Sequence, residues 1–136
     1  MVLVVDDETA LHPIYRRVVE ASGAKPVLAS SCAEAEDLLP AGPFACALLD
    51  KNLPDGSGIV LGRTIVARFP ETAVLLITGY ATLDSVEEAI ESGVFDYLVK
   101  PFDLELLRQS LTAALTWAAS DGPKPRRYLR ARRPLG

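Results

Sequence analysis

Five polar side chains in this 136-residue chain stand where short apolar runs stop. Asp6 and Asp7 follow Val2–Val5, Asp50 follows Phe44–Leu49, Thr78 follows Ala73–Ile77, and Lys100 follows Phe95–Val99. Three carboxylates held together repel and raise one another's pKa values unless a cation sits among them. Oxygen donors with no His or Cys select a hard ion, and Mg2+, which usually keeps several of its waters, suits such a set. Taken singly, each residue has a plainer reading. Acids after a strand often cap the next helix, and Asp50-Lys51-Asn52-Leu53-Pro54-Asp55-Gly56 reads equally well as an ordinary turn. Thr78 and Lys100 alone say almost nothing. The signal is joint: acids, a hydroxyl and an ammonium fall at successive strand ends.

The elements that must position these residues alternate along the chain. Val2–Val5 is a short β-branched run that reads as a buried strand. Leu11, Ile14, Tyr15, Val18 and Val19 then recur at helical spacing, with Pro13 in or near the first turn and Gly23 able to terminate the helix. Pro26–Ser30 is expected as a second strand, and Cys32–Leu39 as a short helix stopped by Pro40. Phe44–Leu49 is the most apolar strand and so central, and Leu53-Pro54-Asp55-Gly56-Ser57-Gly58 is a loop of turn residues. A helix through Ile59, Leu61, Ile65, Val66 and Phe69 ends at Pro70. After the strand Ala73–Ile77, Val86, Ala89, Ile90 and Gly93 mark a helix capped by Thr82 or Asp84. Following Phe95–Val99, the stripe Leu104, Leu107, Leu111, Ala114, Leu115 and Ala118 completes the pattern. Five strands alternating with five helices imply right-handed crossovers and a parallel sheet covered on both faces. Ligands of such sheets bind beyond the carboxyl ends of the strands, where all five polar residues converge.

Val4-Val5-Asp6-Asp7-Glu8, Leu48-Leu49-Asp50 with Leu53-Pro54-Asp55-Gly56-Ser57-Gly58, Ile77-Thr78-Gly79-Tyr80, and Phe95-Asp96-Tyr97-Leu98-Val99-Lys100-Pro101-Phe102 together resemble bacterial two-component response-regulator receiver domains, most of all those of nitrogen-regulation type. The resemblance covers about residues 1–118. It implies an α/β, flavodoxin-like (βα)5 fold, a doubly wound five-stranded parallel sheet of order 2-1-3-4-5. It implies that Asp50 is the phosphoacceptor, attacking the phosphohistidine of a sensor histidine kinase or phosphotransfer protein to form an aspartyl phosphate. Asp7 would bind Mg2+ directly, Asp6 mainly through water, Asp50 as a further ligand, and Asn52 through its main-chain carbonyl. Lys100 would neutralise charge on the transferring oxygens, and Thr78 would hydrogen-bond one of them. Thr78 and Tyr97 would form the switch, Tyr97 turning inward as Thr78 moves. The Lys100–Pro101 bond would be cis. Output would pass through the surface of the fourth helix, fifth strand and fifth helix (α4-β5-α5, about Thr82–Ser92, Phe95–Val99 and Asp103–Ala118), as phosphorylation-dependent homodimerisation or partner docking. Tyr80 and Asn52, two residues beyond Thr78 and Asp50, would influence the lifetime of the phosphorylated state.

Rival chemistries fit less well. A flavin-phosphate loop would be repelled by Asp6-Asp7-Glu8, a haloacid-dehalogenase phosphatase needs a second acid where Asn52 stands, and a Ser/His/Asp triad would have to use His12, the only histidine. His12 is expected to be a surface or packing residue. Cys32 and Cys46 lack metal or disulfide spacing and read as plain thiols. No apolar run approaches the roughly 20 residues that span a bilayer, and Met1–Val5 runs straight into acids without signal-peptide architecture. A cytoplasmic protein that does not act at membranes is expected. Within a net charge of −4, residues 121–136 carry +5 and residues 1–120 carry −9. This argues against direct nucleic-acid binding by residues 1–120. Residues 1–120 are thus expected as the receiver domain, and 121–136 as a basic, proline-containing flexible tail or linker. The expected role is a switch that assists its own phosphorylation and dephosphorylation, without being an enzyme on a separate substrate. The alternative output is the N-terminal receiver fragment of a multidomain DNA-binding transcription regulator.

Overall fold

The computed structural model describes residues 1–79, 87–89 and 91–120. Strands β1 (Val2–Val5), β2 (Pro26–Ala29), β3 (Cys46–Asp50), β4 (Ala73–Thr78) and β5 (Asp96–Val99) form one parallel sheet in the order β2-β1-β3-β4-β5. The fold and strand order agree with those expected. Helices α1 (His12–Ala21), α2 (Cys32–Leu38) and α3 (Gly58–Arg68) connect successive strands, α4 is described at 87–89 and 91, and α5 (Leu104–Ala119) follows β5.

Alternation along the strands sorts the core into two layers. Val2, Val4, Cys46, Leu48, Leu75, Ile77 and Leu98 pack with Tyr15 and Val19 of α1 and with Leu107, Leu111 and Ala114 of α5. Leu3, Val5, Ala47, Leu49, Val74, Leu76 and Tyr97 face the other way, against Ala35 of α2, Ile59, Leu61 and Ile65 of α3, and Ala89. Strands buried on both faces show continuous apolar runs rather than alternation, which is why the runs were visible in the sequence.

Element ends follow local chemistry. Gly23 adopts φ 83° just past α1, Ser31 and Ser57 cap α2 and α3 through their hydroxyls, and the Asp103 carboxylate caps α5. Pro13 lies in the first turn of α1, as anticipated.

Four expectations need correction. The third strand begins at Cys46, not Phe44, because the Phe44 carbonyl is taken by Thr72 Oγ1 (2.6 Å) in the segment that follows a cis Gly42–Pro43 bond. Pro40 does not stop α2 outright, since Leu39–Ala41 continues as a 3-10 turn in which Pro's missing N–H costs nothing. Helix α3 ends at Arg68, because Phe69 precedes Pro70 and is extended (φ −126°, ψ 84°). Part of the expected loop at 53–58 belongs to an antiparallel ribbon, Asn52–Leu53 with Gly56–Ser57, folded around Pro54-Asp55. Thr82 and Asp84 as caps, Tyr80, and the tail 121–136 lie outside the described residues.

Candidate functional site

Strand register brings the site residues to one edge. Val5 pairs with Leu49, so Asp6 and Asp50 leave adjacent strands at the same level. Thr78 pairs with Val99, so Lys100 emerges one residue beyond Thr78, and its main-chain N–H donates to the Thr78 carbonyl (2.8 Å). The Lys100–Pro101 bond is cis.

Lys100 Nζ lies 3.0 Å from Asp6 Oδ2 and 3.0 Å from Asp50 Oδ2, with Glu8 Oε1 farther out at 3.4 Å. Asp50 Oδ1 accepts from the Asn52 N–H at 2.9 Å, which orients the carboxylate. Asp6, wholly buried, accepts from Tyr15 Oη at 2.6 Å and from the Glu8 N–H at 2.9 Å. One carboxylate oxygen from each of Asp6, Asp7 and Asp50 falls within 4.8 Å of the others, and Asp7 is exposed to solvent. Thr78 is buried at the same edge. The structure thus brings Asp6, Asp7, Asp50 and Lys100 together. It places Thr78 beside them, and Asn52 with its side chain exposed and its main chain against Asp50. Tyr97 is away from the acids, buried with Val74, Leu76 and Ala89.

The electrostatics divide the acids. Burial pushes the Asp6 carboxyl up, but hydrogen bonds from Tyr15, the Glu8 N–H and Lys100 outweigh it and hold Asp6 below the ordinary carboxylate range. At Asp50, burial prevails over the Asn52 and Lys100 hydrogen bonds, and the Asp6 charge adds to it, so that carboxyl is pushed up. Burial works against the Lys100 ammonium, yet Asp6 and Asp50 hold it protonated well above its usual range. Three carboxylates against one ammonium leave two formal negative charges beside an opening to solvent. A hard divalent cation fits that donor set, charge and exposure, and Asp6, Asp7 and Asp50 would hold it.

Several contributors escaped the sequence reading. Tyr15 lies in the apolar stripe of α1, yet its hydroxyl ends on Asp6. His12 Nε2 donates to the Asp6 main-chain carbonyl (2.7 Å), a more specific role than surface packing. Gly58 is required because a Cβ there would lie 2.0 Å from the Asp50 carbonyl oxygen. Glu8, the third acid of the Asp-Asp-Glu run, contacts Lys100. Asp96 is a buried acid at the opposite end of the sheet. It accepts from the Tyr97 N–H (2.8 Å) and Ser110 Oγ (2.7 Å), and so ties β5 to α5.

Comparison with known proteins identifies the family of the fold. The family model described as the response regulator receiver domain matches residues 2–112. The chain is 39% identical over 113 residues to the response regulator protein PilR of Pseudomonas aeruginosa, covering 83% of this chain and 25% of PilR. It is 34% identical over 107 residues to the alginate biosynthesis transcriptional regulatory protein AlgB of Pseudomonas putida, covering 79% of this chain and 24% of AlgB. The chain therefore spans about a quarter of the length of these relatives. Among solved structures, the beryllofluoride-activated NtrC4 receiver domain dimer superposes with a TM-score of 0.80 at 31% identity, over 87% of this chain and 98% of that one.

Proposed function

This chain belongs to the response regulator receiver domain family, and on that premise we propose that it accepts a phosphoryl group on Asp50 with Mg2+ bound beside it. The donor is a phosphohistidine of a sensor histidine kinase or phosphotransfer protein. The observation that carries the reading is the bridge of Lys100 Nζ between Asp6 and Asp50, with the Asp7 carboxylate close enough to share a cation.

Each residue then has a task. An Asp50 carboxylate oxygen forms the new bond to phosphorus as the nitrogen–phosphorus bond breaks, and the electron pair leaves with the imidazole. The Asn52 N–H and Lys100 hold that carboxylate in place, and Lys100 offsets charge on the transferring oxygens. Tyr15 and His12 fix Asp6 from below. Asp6, Asp7 and Asp50, with the Asn52 main-chain carbonyl, would hold Mg2+, which would supply positive charge next to the phosphoryl group. The domain promotes its own phosphorylation and dephosphorylation and turns over no separate substrate.

The acyl phosphate brings about two negative charges and three acceptor oxygens to one point. Thr78 moves to bond one of them, Tyr97 takes the space behind it, and the α4-β5-α5 face changes. That face then takes part in homodimerisation or partner docking; that the beryllofluoride-activated NtrC4 receiver is a dimer supports the homodimer. Residues 1–120 form the receiver and 121–136 a basic tail or linker, without nucleic-acid binding by the receiver. Among the described residues no helix is long and apolar enough to cross a membrane, and the reading places the domain in the cytoplasm. A multidomain transcription regulator with this chain as its receiver is favoured by the quarter-length match to AlgB. An open reading frame continuing beyond Gly136 into a DNA-binding segment is the expected check.

Incubation with acetyl phosphate and Mg2+, followed by intact mass measurement, tests the central reading. The native chain should gain one phosphoryl group and Asp50→Asn none. Equal gain by both would overturn it.

A further inference from the structure

We propose that Asp55 is a positioning residue for phosphoryl transfer: from outside the pocket it holds the ribbon whose Asn52 N–H aims the Asp50 carboxylate. The inference rests on the phosphoacceptor role proposed above for Asp50.

Asp55 sits at the turn of the ribbon, between Leu53 and Gly56. Its two carboxylate oxygens each accept a different main-chain amide at the start of α2, Cys32 N–H to Oδ1 at 2.8 Å and Ala33 N–H to Oδ2 at 2.9 Å. First-turn amides have no partner within their own helix, so the pairing satisfies both sides. The amides of Ala33 and Cys32 hold the Asp55 carboxyl below its ordinary range, as expected of a carboxylate that accepts both.

Helix α2 does not need Asp55 in order to begin, because it has a cap of its own in Ser31, whose Oγ accepts from the Glu34 N–H at 3.1 Å. What Asp55 adds is a tie between two elements. A ribbon with two residues per strand is too short to hold its own register. Leu53 is buried, and Gly56 leaves room for Cys32 Sγ, which would lie 3.2 Å from a Cβ placed there. At the other end Asn52 pairs with Ser57, and the Asn52 N–H reaches Asp50 Oδ1. Helix α2 is itself anchored to the sheet through buried Ala35. The path therefore runs from the core through α2, Asp55 and the ribbon to the nucleophile. A displacement of about 1 Å at a reacting group is enough to cost about a hundredfold in rate.

The test measures the initial rate of phosphorylation of the 136-residue chain against acetyl phosphate concentration, with Mg2+ present, alongside each variant's thermal midpoint. Asp55→Ala should lower the maximal rate about tenfold while the acetyl phosphate KM stays close to the native value, because aim is lost and donor binding is not. Asp55→Asn keeps one acceptor oxygen and should fall between native and Asp55→Ala. Ser31→Ala weakens the same helix end without touching the ribbon, so it should lower the midpoint yet keep the native rate. A native rate in Asp55→Ala, or a loss in Ser31→Ala as large as in Asp55→Ala, would overturn the proposal. Failure of the native chain itself to take phosphate would remove the proposed function, and this inference with it.

Discussion

Tyr15 reaches Asp6 Oδ2 from the inner face of α1, and that 2.6 Å bond helps to hold the Asp6 carboxyl below the ordinary carboxylate range. Both partners are fully buried. Tyr15→Phe should therefore cost about 1.5–3 kcal/mol, the range for a hydrogen bond to a charged group, read as a lowered urea midpoint. Asp50 behaves in the opposite sense. Its carboxyl is raised above 3.8 in the fold, so its contribution to stability is complete below that pH and is lost as pH rises through the folded value. Without divalent cation, Asp50→Asn should be more stable than the native chain at neutral pH, with the gap closing toward pH 3.8. Saturating Mg2+ should stabilise the native chain more than the variant. A native chain at least as stable as the variant at neutral pH, with Mg2+ chelated, would contradict this. Asp6, Asp7, Asp50 and Lys100 were legible because parallel strand ends converge whatever the details. Tyr15, His12 and Asp55 were not, since their roles depend on the rotation of α1 and the path of one turn.

At the scale of elements, the ribbon and the start of α3 press directly on the strand that carries Asp50. Gly58→Ala would place a Cβ 2.0 Å from the Asp50 carbonyl oxygen, backbone that cannot yield. A loss of about 3 kcal/mol or more is expected by chemical denaturation. Gly79→Ala is the matched control: a Cβ there meets nothing within 4 Å, and the change should stay within about 0.5 kcal/mol. The period of the apolar residues announced α1, α3 and α5, and continuous runs announced the buried strands. Two-residue strands carry no period, so the ribbon read as loop. The continuation of α2 as a 3-10 turn through Pro40 depends on where one N–H is dispensable, which the apolar pattern does not report. The start of β3 was misjudged because Phe44 is buried without being paired, its carbonyl held by Thr72.

For the molecule as a whole, the strand order β2-β1-β3-β4-β5 puts the acids at the middle of one edge and β5 at the rim. Strand alternation could be read as burial, whereas the strand order came with the family resemblance. Val99 and Leu104 are 38% and 50% exposed on and beside β5, where the proposed output surface lies. Beryllofluoride with Mg2+ should increase the sedimentation coefficient of the native chain, and Leu104→Glu should weaken that association about tenfold or more, as loss of a central apolar anchor does. An unchanged sedimentation coefficient, with amide exchange also unchanged across β5 and α5, would contradict a switch at this face. Reductive trapping addresses the central claim at a single residue. Borohydride converts an aspartyl phosphate to homoserine, so peptide sequencing after treatment with acetyl phosphate should find homoserine at position 50 when Mg2+ is present and none after chelation. Homoserine at a different aspartate, or equal trapping without the cation, would contradict the assignment of Asp50 as the acceptor in a divalent-cation pocket.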